Sequence, residues 1–147
     1  MELILWRHAD AEDGAPDLER QLTPKGRAEA GRVARWLLAR LPGEFEVLAS
    51  PAARAQQTAE FLRKKTRIEN ALAPGASPAA IVMAAGWPDA RASVVVVGHQ
   101  PDLGRTLAYL VARRAADWRL QKGALWWLES ADTVLVKAVM SPDLLED

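Results

Sequence analysis

The chain holds two histidines, His8 and His99, and each falls where an apolar run stops. Glu2 to Trp6 runs into Arg7-His8, and Ser93 to Val97 runs into Gly98-His99. If both runs are buried parallel strands, both imidazoles emerge at strand carboxyl ends, the edge of an open α/β sheet where ligands bind. Arginines stand at comparable places: Arg7 at the first strand end, Arg20 before a helix start, and Arg54 within Ser50-Pro51-Ala52-Ala53-Arg54. Three guanidiniums around two imidazoles make a pocket for a tetrahedral dianion, because Arg presents planar forked donors matched to phosphate oxygens. The helix amino terminus announced by Ser50-Pro51 adds free N–H groups and a favourable dipole. The expected ligand is a phosphoryl group.

In such a pocket an imidazole can attack phosphorus, giving a phosphohistidine that water later cleaves. Only the neutral ring has the lone pair. From an unperturbed pKa of about 6.5, neighbouring guanidiniums push a histidine toward that neutral form. The second imidazole and the arginines would stabilise charge on the equatorial oxygens in the transition state. This chemistry requires no metal and no cofactor. Taken one at a time the same residues have plainer readings, a satisfied histidine at a strand end or a solvated arginine; their joint placement favours a site.

The elements that must position these groups alternate strand and helix, the pattern of a three-layer αβα sandwich with a mixed, mainly parallel sheet. Residues 2–7 form the first strand, and the turn-rich stretch Asp10 to Asp17 precludes a regular element beside the site. Thr23-Pro24 opens a helix whose core face is Ala30, Val33, Ala34, Leu37, Leu38 and Leu41. Phe45 to Ala49 is the second strand, and Ser50-Pro51 caps a helix running to about Lys65 with Ala55, Thr58, Ala59 and Leu62 inward. Arg67-Ile68-Glu69 is a candidate short strand, and Ser77-Pro78 opens a helix that ends near Gly86. A further helix begins at Pro101, after the strand 93–97. Residues 124–129 and 133–140 form an antiparallel hairpin at the sheet edge.

A length of 147 residues, half of them apolar, fits one domain spanning 1–147. Nineteen basic residues balance nineteen acidic ones, so no global field draws the chain to nucleic acid or to anionic membrane. No apolar run approaches the roughly 20 residues that span a bilayer, and the start has no basic region followed by an apolar one, so a cytoplasmic protein is expected. The absence of cysteine excludes disulfides, thiolate metal sites and a cysteine nucleophile.

Three segments in order resemble the histidine phosphatase superfamily, also called phosphoglycerate mutase-like. Leu5-Trp6-Arg7-His8-Ala9 resembles its Arg-His-Gly signature, Ser50 to Thr58 its Ser-Pro-x-x-Arg-Ala-x-x-Thr segment, and Val97-Gly98-His99-Gln100-Pro101 its second histidine motif. The size, Arg20 to Gly26 and Leu72 to Pro78 further resemble the SixA-type branch, the phosphohistidine phosphatases. The resemblance implies a phosphoglycerate mutase-like fold, His8 as nucleophile, and Arg7, Arg54 and His99 as the phosphate pocket, with Arg20 as an accessory contact. It also implies a phosphohistidine-bearing signalling or phosphotransfer protein as partner.

Two departures matter. Ala9 stands where the family has Gly, which restricts the turn to φ values open to an L-residue. Pro74, in Leu72-Ala73-Pro74, stands where mutase and phosphomonoesterase members carry an acid. Phosphate esters need a proton donor for the alkoxide, worth roughly 10²- to 10⁴-fold, whereas a phosphohistidine expels an imidazole with a pKa near 6.5. The departure favours a phosphoramidate. Glu69, Asp10, Glu12 and Asp13 stay open as substitute acids for a small-molecule phosphomonoesterase. A non-catalytic phosphate or phosphohistidine binding module is the other alternative. Asp102 is explained in the sequence by the dipole of its helix.

Overall fold

A computed structural model describes residues 1–147. Six strands form one sheet: β1 (Glu2–Arg7), β2 (Phe45–Ala49), β3 (Thr66–Ile68), β4 (Ser93–Gly98), β5 (Leu125–Glu129) and β6 (Leu135–Met140). Their order is β3-β2-β4-β1-β5-β6. The first four of that order run parallel, β5 runs antiparallel to β1, and β6 closes the expected hairpin at the edge.

The strand sequences explain the layers. β4 is buried along its whole length and β1 across Leu3–Trp6, so both are continuously apolar, as strands covered on both faces must be. Ile4, Trp6, Val47, Val95 and Val97 face one core with α1 (Pro24–Leu38) and α2 (Ala53–Glu60). Leu3, Leu5, Leu48, Val94 and Val96 face the other with α3 (Pro78–Ala85) and α4 (Asp102–Leu107). Alternation along each strand thus feeds two helical layers.

Register brings the strand ends level. Arg7 pairs with Gly98 across β1 and β4, and Ala49 pairs with Val97 across β2 and β4. The next residue in each strand continues the alignment: His8 N donates to Gly98 O at 3.0 Å and Ser50 N donates to Val97 O at 3.1 Å. His8, His99 and Ser50 therefore leave three adjacent strands at one edge.

Several helix boundaries agree with their caps. Thr23 Oγ1 accepts from Gly26 N and Ser77 Oγ accepts from Ala80 N, while Gly86 closes α3 at φ 71°. Gly26 is also required by close approach, because a Cβ there would lie 2.1 Å from the carbonyl oxygen of Asp10.

Other elements differ from expectation. Leu38 is exposed, since Leu37 takes the inward position at that turn, and Leu41 packs only partly buried at the core edge. α2 begins three residues after Ser50 and stops at Glu60, because Ser50 Oγ accepts from Ala52 N in a turn of its own and does not cap the helix. Arg63, at φ 54°, then reverses the chain into β3. The turn-rich stretch before α1 contains a short 3-10 turn, Asp17–Glu19, and a bridge between Ala11 and Leu22. No helix is long and apolar enough to cross a membrane.

Candidate active site

The sheet edge collects all five residues singled out from the sequence. His8 and His99 are buried, at 7% and 3% exposure, and their ring centroids stand 5.2 Å apart with planes tilted by 55°. His8 Nδ1 lies 2.8 Å from the carbonyl oxygen of Ala9. A carbonyl only accepts, so the hydrogen bond assigns the proton of the neutral ring to Nδ1 and leaves the Nε2 lone pair free. Ala9 is itself fixed: its N–H donates to Thr58 Oγ1 at 3.0 Å, and that hydroxyl donates to Arg54 O at 2.8 Å. Ala9 keeps a negative φ, so the methyl group is accommodated without strain.

His99 is held at both nitrogens. Its Nδ1 lies 3.4 Å from Arg54 Nη2 and its Nε2 2.8 Å from Ser50 Oγ. A guanidinium only donates, so Nδ1 is the acceptor and Nε2–H donates to Ser50. Burial lowers the His8 pKa to about 4; the Ala9 carbonyl opposes this, and Arg54, Arg7 and Arg20 reinforce it. Burial lowers His99 to about 3, with His8 and Arg54 adding to the effect and Asp17 opposing it. Both rings are neutral near pH 7.

The guanidiniums are anchored by carbonyls. Arg7 Nη1 donates to Leu120 O at 2.7 Å, Arg54 Nη1 to Asp17 O at 2.8 Å, and Arg20 Nε to Glu12 O at 2.8 Å. The Nε–H groups of Arg7 and Arg54 are buried and have no partner within the protein. Unpaired donors of this kind are costly unless an acceptor meets them. An anion seated among them would be that acceptor.

Four features have no counterpart in the sequence pattern. Asp17 bridges Arg20 and Arg54 through its two carboxylate oxygens, at 3.0 and 3.1 Å. The Asp17-x-x-Arg20 spacing was the available signal for one half of that bridge, whereas the Arg54 half depends on the closed fold. Ser50, a helix cap by sequence pattern, buttresses His99, and Thr58, a core residue by periodicity, buttresses the turn after His8. Asp102 is 3% exposed, and its carboxylate accepts from Gly75 N at 2.9 Å and Ala76 N at 3.1 Å. It fastens the turn after Pro74 to α4, a role that the helix dipole alone does not describe.

Of the acids that could replace a donor at Pro74, Asp10 and Glu69 are engaged elsewhere, while Glu12 and Asp13 are exposed. Asp10 accepts from Thr23 Oγ1 at 2.8 Å and pairs with Lys122 at 3.1 Å, and these contacts hold its carboxyl below the usual range. Glu69 pairs with Arg67 beside the edge strand β3. The chain contains no group of three or more His, Cys, Asp or Glu residues placed to hold a metal ion.

A buried pair of imidazoles ringed by arginines on an αβα sheet edge defines a phosphoryl-handling class, and the comparisons give it a family. Residues 3–76 match the histidine phosphatase superfamily (branch 1), and the chain belongs to that superfamily. Its relatives include an uncharacterized protein of Picosynechococcus sp., 42% identical over 71% of this chain and 69% of the relative. An uncharacterized protein of Mycobacterium tuberculosis is 37% identical over 65% of this chain and 63% of its own length.

Among solved structures, the protein histidine phosphatase SixA complexed with tungstate is 27% identical, with a TM-score of 0.81 over 99% of this chain and 100% of that one. A SixA from Nakamurella multipartitia is 28% identical, with a TM-score of 0.79 over 96% of this chain and 95% of that one. The chain is thus of SixA type, and its class is that of the phosphatase hydrolases. The phosphoserine phosphatase of Entamoeba histolytica, 15% identical at a TM-score of 0.73 over 96% of this chain and 97% of that one, shares the fold.

Proposed function

We propose that the protein is a phosphohistidine phosphatase working through a covalent phospho-His8 intermediate. The observation that carries this reading is the neutral His8 ring, with Nδ1–H held by Ala9 O and the Nε2 lone pair unused. In the first step Nε2 attacks phosphorus in line while the substrate's N–P bond breaks. The substrate imidazole leaves neutral, with its proton on the other ring nitrogen. Phosphorylated at Nε2 and protonated at Nδ1, His8 is cationic, and the Ala9 carbonyl stabilises that charge. In the second step water attacks phosphorus, the Nε2–P bond breaks, and inorganic phosphate departs with the protons of the water.

Arg7, Arg20, Arg54 and His99 serve as the phosphate pocket, stabilising charge on the equatorial oxygens. To donate to such an oxygen His99 releases Arg54 or takes up a proton, either of which the incoming anion favours. The substrate preference rests on proton supply. Pro74 offers none, and the carboxylates near the pocket, Asp17 and Asp10, are both held ionised by cationic or hydroxyl partners. Asp102 is turned onto Gly75 N and Ala76 N, and a pocket this poor in proton donors suits a phosphoramidate better than an ester. The neighbours named as phosphohistidine phosphatase and protein histidine phosphatase support a phosphohistidine substrate, which we place on a signalling or phosphotransfer protein.

The test is phosphate release, with chelator present, from a phosphohistidine-bearing protein and from sugar and nucleotide phosphates, by wild type and His8→Ala. Preferential release from the phosphohistidine protein that depends on His8 is expected. Faster turnover of an ester would reject the substrate assignment, and turnover by His8→Ala would reject the nucleophile.

A further inference from the structure

Resting on the phosphoryl-site reading above, we infer that Asp17 is an internal anion that occupies Arg20 and Arg54 until a phosphoryl group displaces it. It thereby sets how weakly the site holds free phosphate. The two carboxylate oxygens of Asp17 are spread between the two guanidiniums, Oδ1 on Arg20 Nη1 at 3.0 Å and Oδ2 on Arg54 Nη2 at 3.1 Å. Two oxygens of a phosphoryl group present the same acceptors to the same donors. Arg54 Nη2 is also the group that reaches His99 Nδ1, so the carboxylate sits at the junction of the pocket's cation and its second imidazole. The contacts hold the Asp17 carboxyl below the usual range, Arg20 first and Arg54 second, which keeps it anionic at neutral pH.

The segment that carries Asp17 is held mainly by its contacts with Arg54 and Arg20. Every residue from Glu12 to Glu19 is exposed, and the 3-10 turn contributes no buried side chain. A cleft of about 440 Å³, lined by Leu18, Gln21, Pro51, Gln56 and Glu60, lies beside the Arg54 contacts between the segment and α2. Few apolar contacts anchor it, so local opening needs little more than exchange of guanidinium partners. The Asp17 side chain is 56% exposed and is solvated once released, whereas the Arg54 side chain is 6% exposed, so its release from Asp17 needs an incoming anion to take the carboxylate's place.

The consequence is selective. A free phosphate ion must displace Asp17 using only its own oxygens. A phosphohistidine on a protein brings further surface contacts that offset the exchange. Asp17 therefore limits product inhibition and discriminates against small phosphates.

Calorimetric titration of inorganic phosphate and of tungstate into wild type, Asp17→Asn, Asp17→Ser, Arg54→Ala and the loop control Asp13→Asn tests this. Expected is roughly tenfold tighter binding in both Asp17 variants, unchanged binding in Asp13→Asn, and loss in Arg54→Ala. Equal or weaker binding in the Asp17 variants, with binding still lost in Arg54→Ala, would overturn the inference alone and make Asp17 a positioning residue for the arginines. Binding that ignores Arg54 in every protein would overturn the phosphoryl-site reading together with it.

Discussion

At the end of β1 the His8 ring has one nitrogen held by a carbonyl and one free, whereas at the end of β4 the His99 ring has both nitrogens held, by Ser50 and Arg54. In sequence the two ends look alike, an apolar run leading into a histidine. The structure separates them through the partners each ring meets: Ala9 offers a carbonyl to Nδ1 of His8, while His99 faces the start of the α2 region. In the proposed mechanism the free lone pair suits His8 to be the nucleophile, and the ring fixed on both sides suits His99 to be an electrostatic and hydrogen-bonding support.

Substitutions at the two ends should therefore differ in kind. His8→Ala is expected to remove turnover altogether, a loss of about 10⁴-fold or more, while phosphate still binds through the arginines. His99→Ala should lower kcat by about 10²- to 10³-fold and still form a slow covalent intermediate. Phosphate release and intermediate trapping on both variants check the contrast; equal loss of the intermediate would erase it. Ser50→Ala, which removes the support of His99 together with the Ala52 turn bond, should lower kcat by about tenfold with little change in KM, as steady-state kinetics would show.

Acid sharpens the comparison in another way. Both histidines have folded-state pKa values, about 4 and about 3, below the unfolded value of about 6.5. Below pH 6.5 the unfolded chain binds the extra protons, so the stability contributed by the neutral rings is full above that value and is lost as pH falls toward 4 and 3. The full cost is on the order of 3 kcal/mol for His8 and on the order of 5 kcal/mol for His99. Thermal unfolding between pH 4 and 7 should show a steeper acid loss in wild type than in His8→Ala or His99→Gln. For the free enzyme, kcat/KM should keep its His8-dependent activity to well below pH 6.

Much of the fold was legible because β1 and β4 are continuously apolar and because Thr23 and Ser77 cap their helices. The gathering of His8, His99, Arg7, Arg20 and Arg54 at one sheet edge was legible because each stands at or near a strand end or helix start. The hidden part depends on contacts distant in sequence. Ser50 reads as a cap until His99 closes upon it, 49 positions away. Asp102 reads as a helix-dipole acid until Gly75 and Ala76 meet it, 27 and 26 positions away. The Asp17 bridge to Arg54 spans 37 positions and has no local pattern of its own.

The most direct test of the central claim is to trap the phosphoenzyme with a phosphohistidine donor and locate the phosphoryl group by ³¹P and ¹⁵N NMR on histidine-labelled protein. The account requires one phosphoryl group on Nε2 of His8, with Nδ1 still protonated and His99 unmodified. A phosphoryl group on Nδ1 of His8 or on His99, or turnover with no phosphohistidine formed, would contradict it.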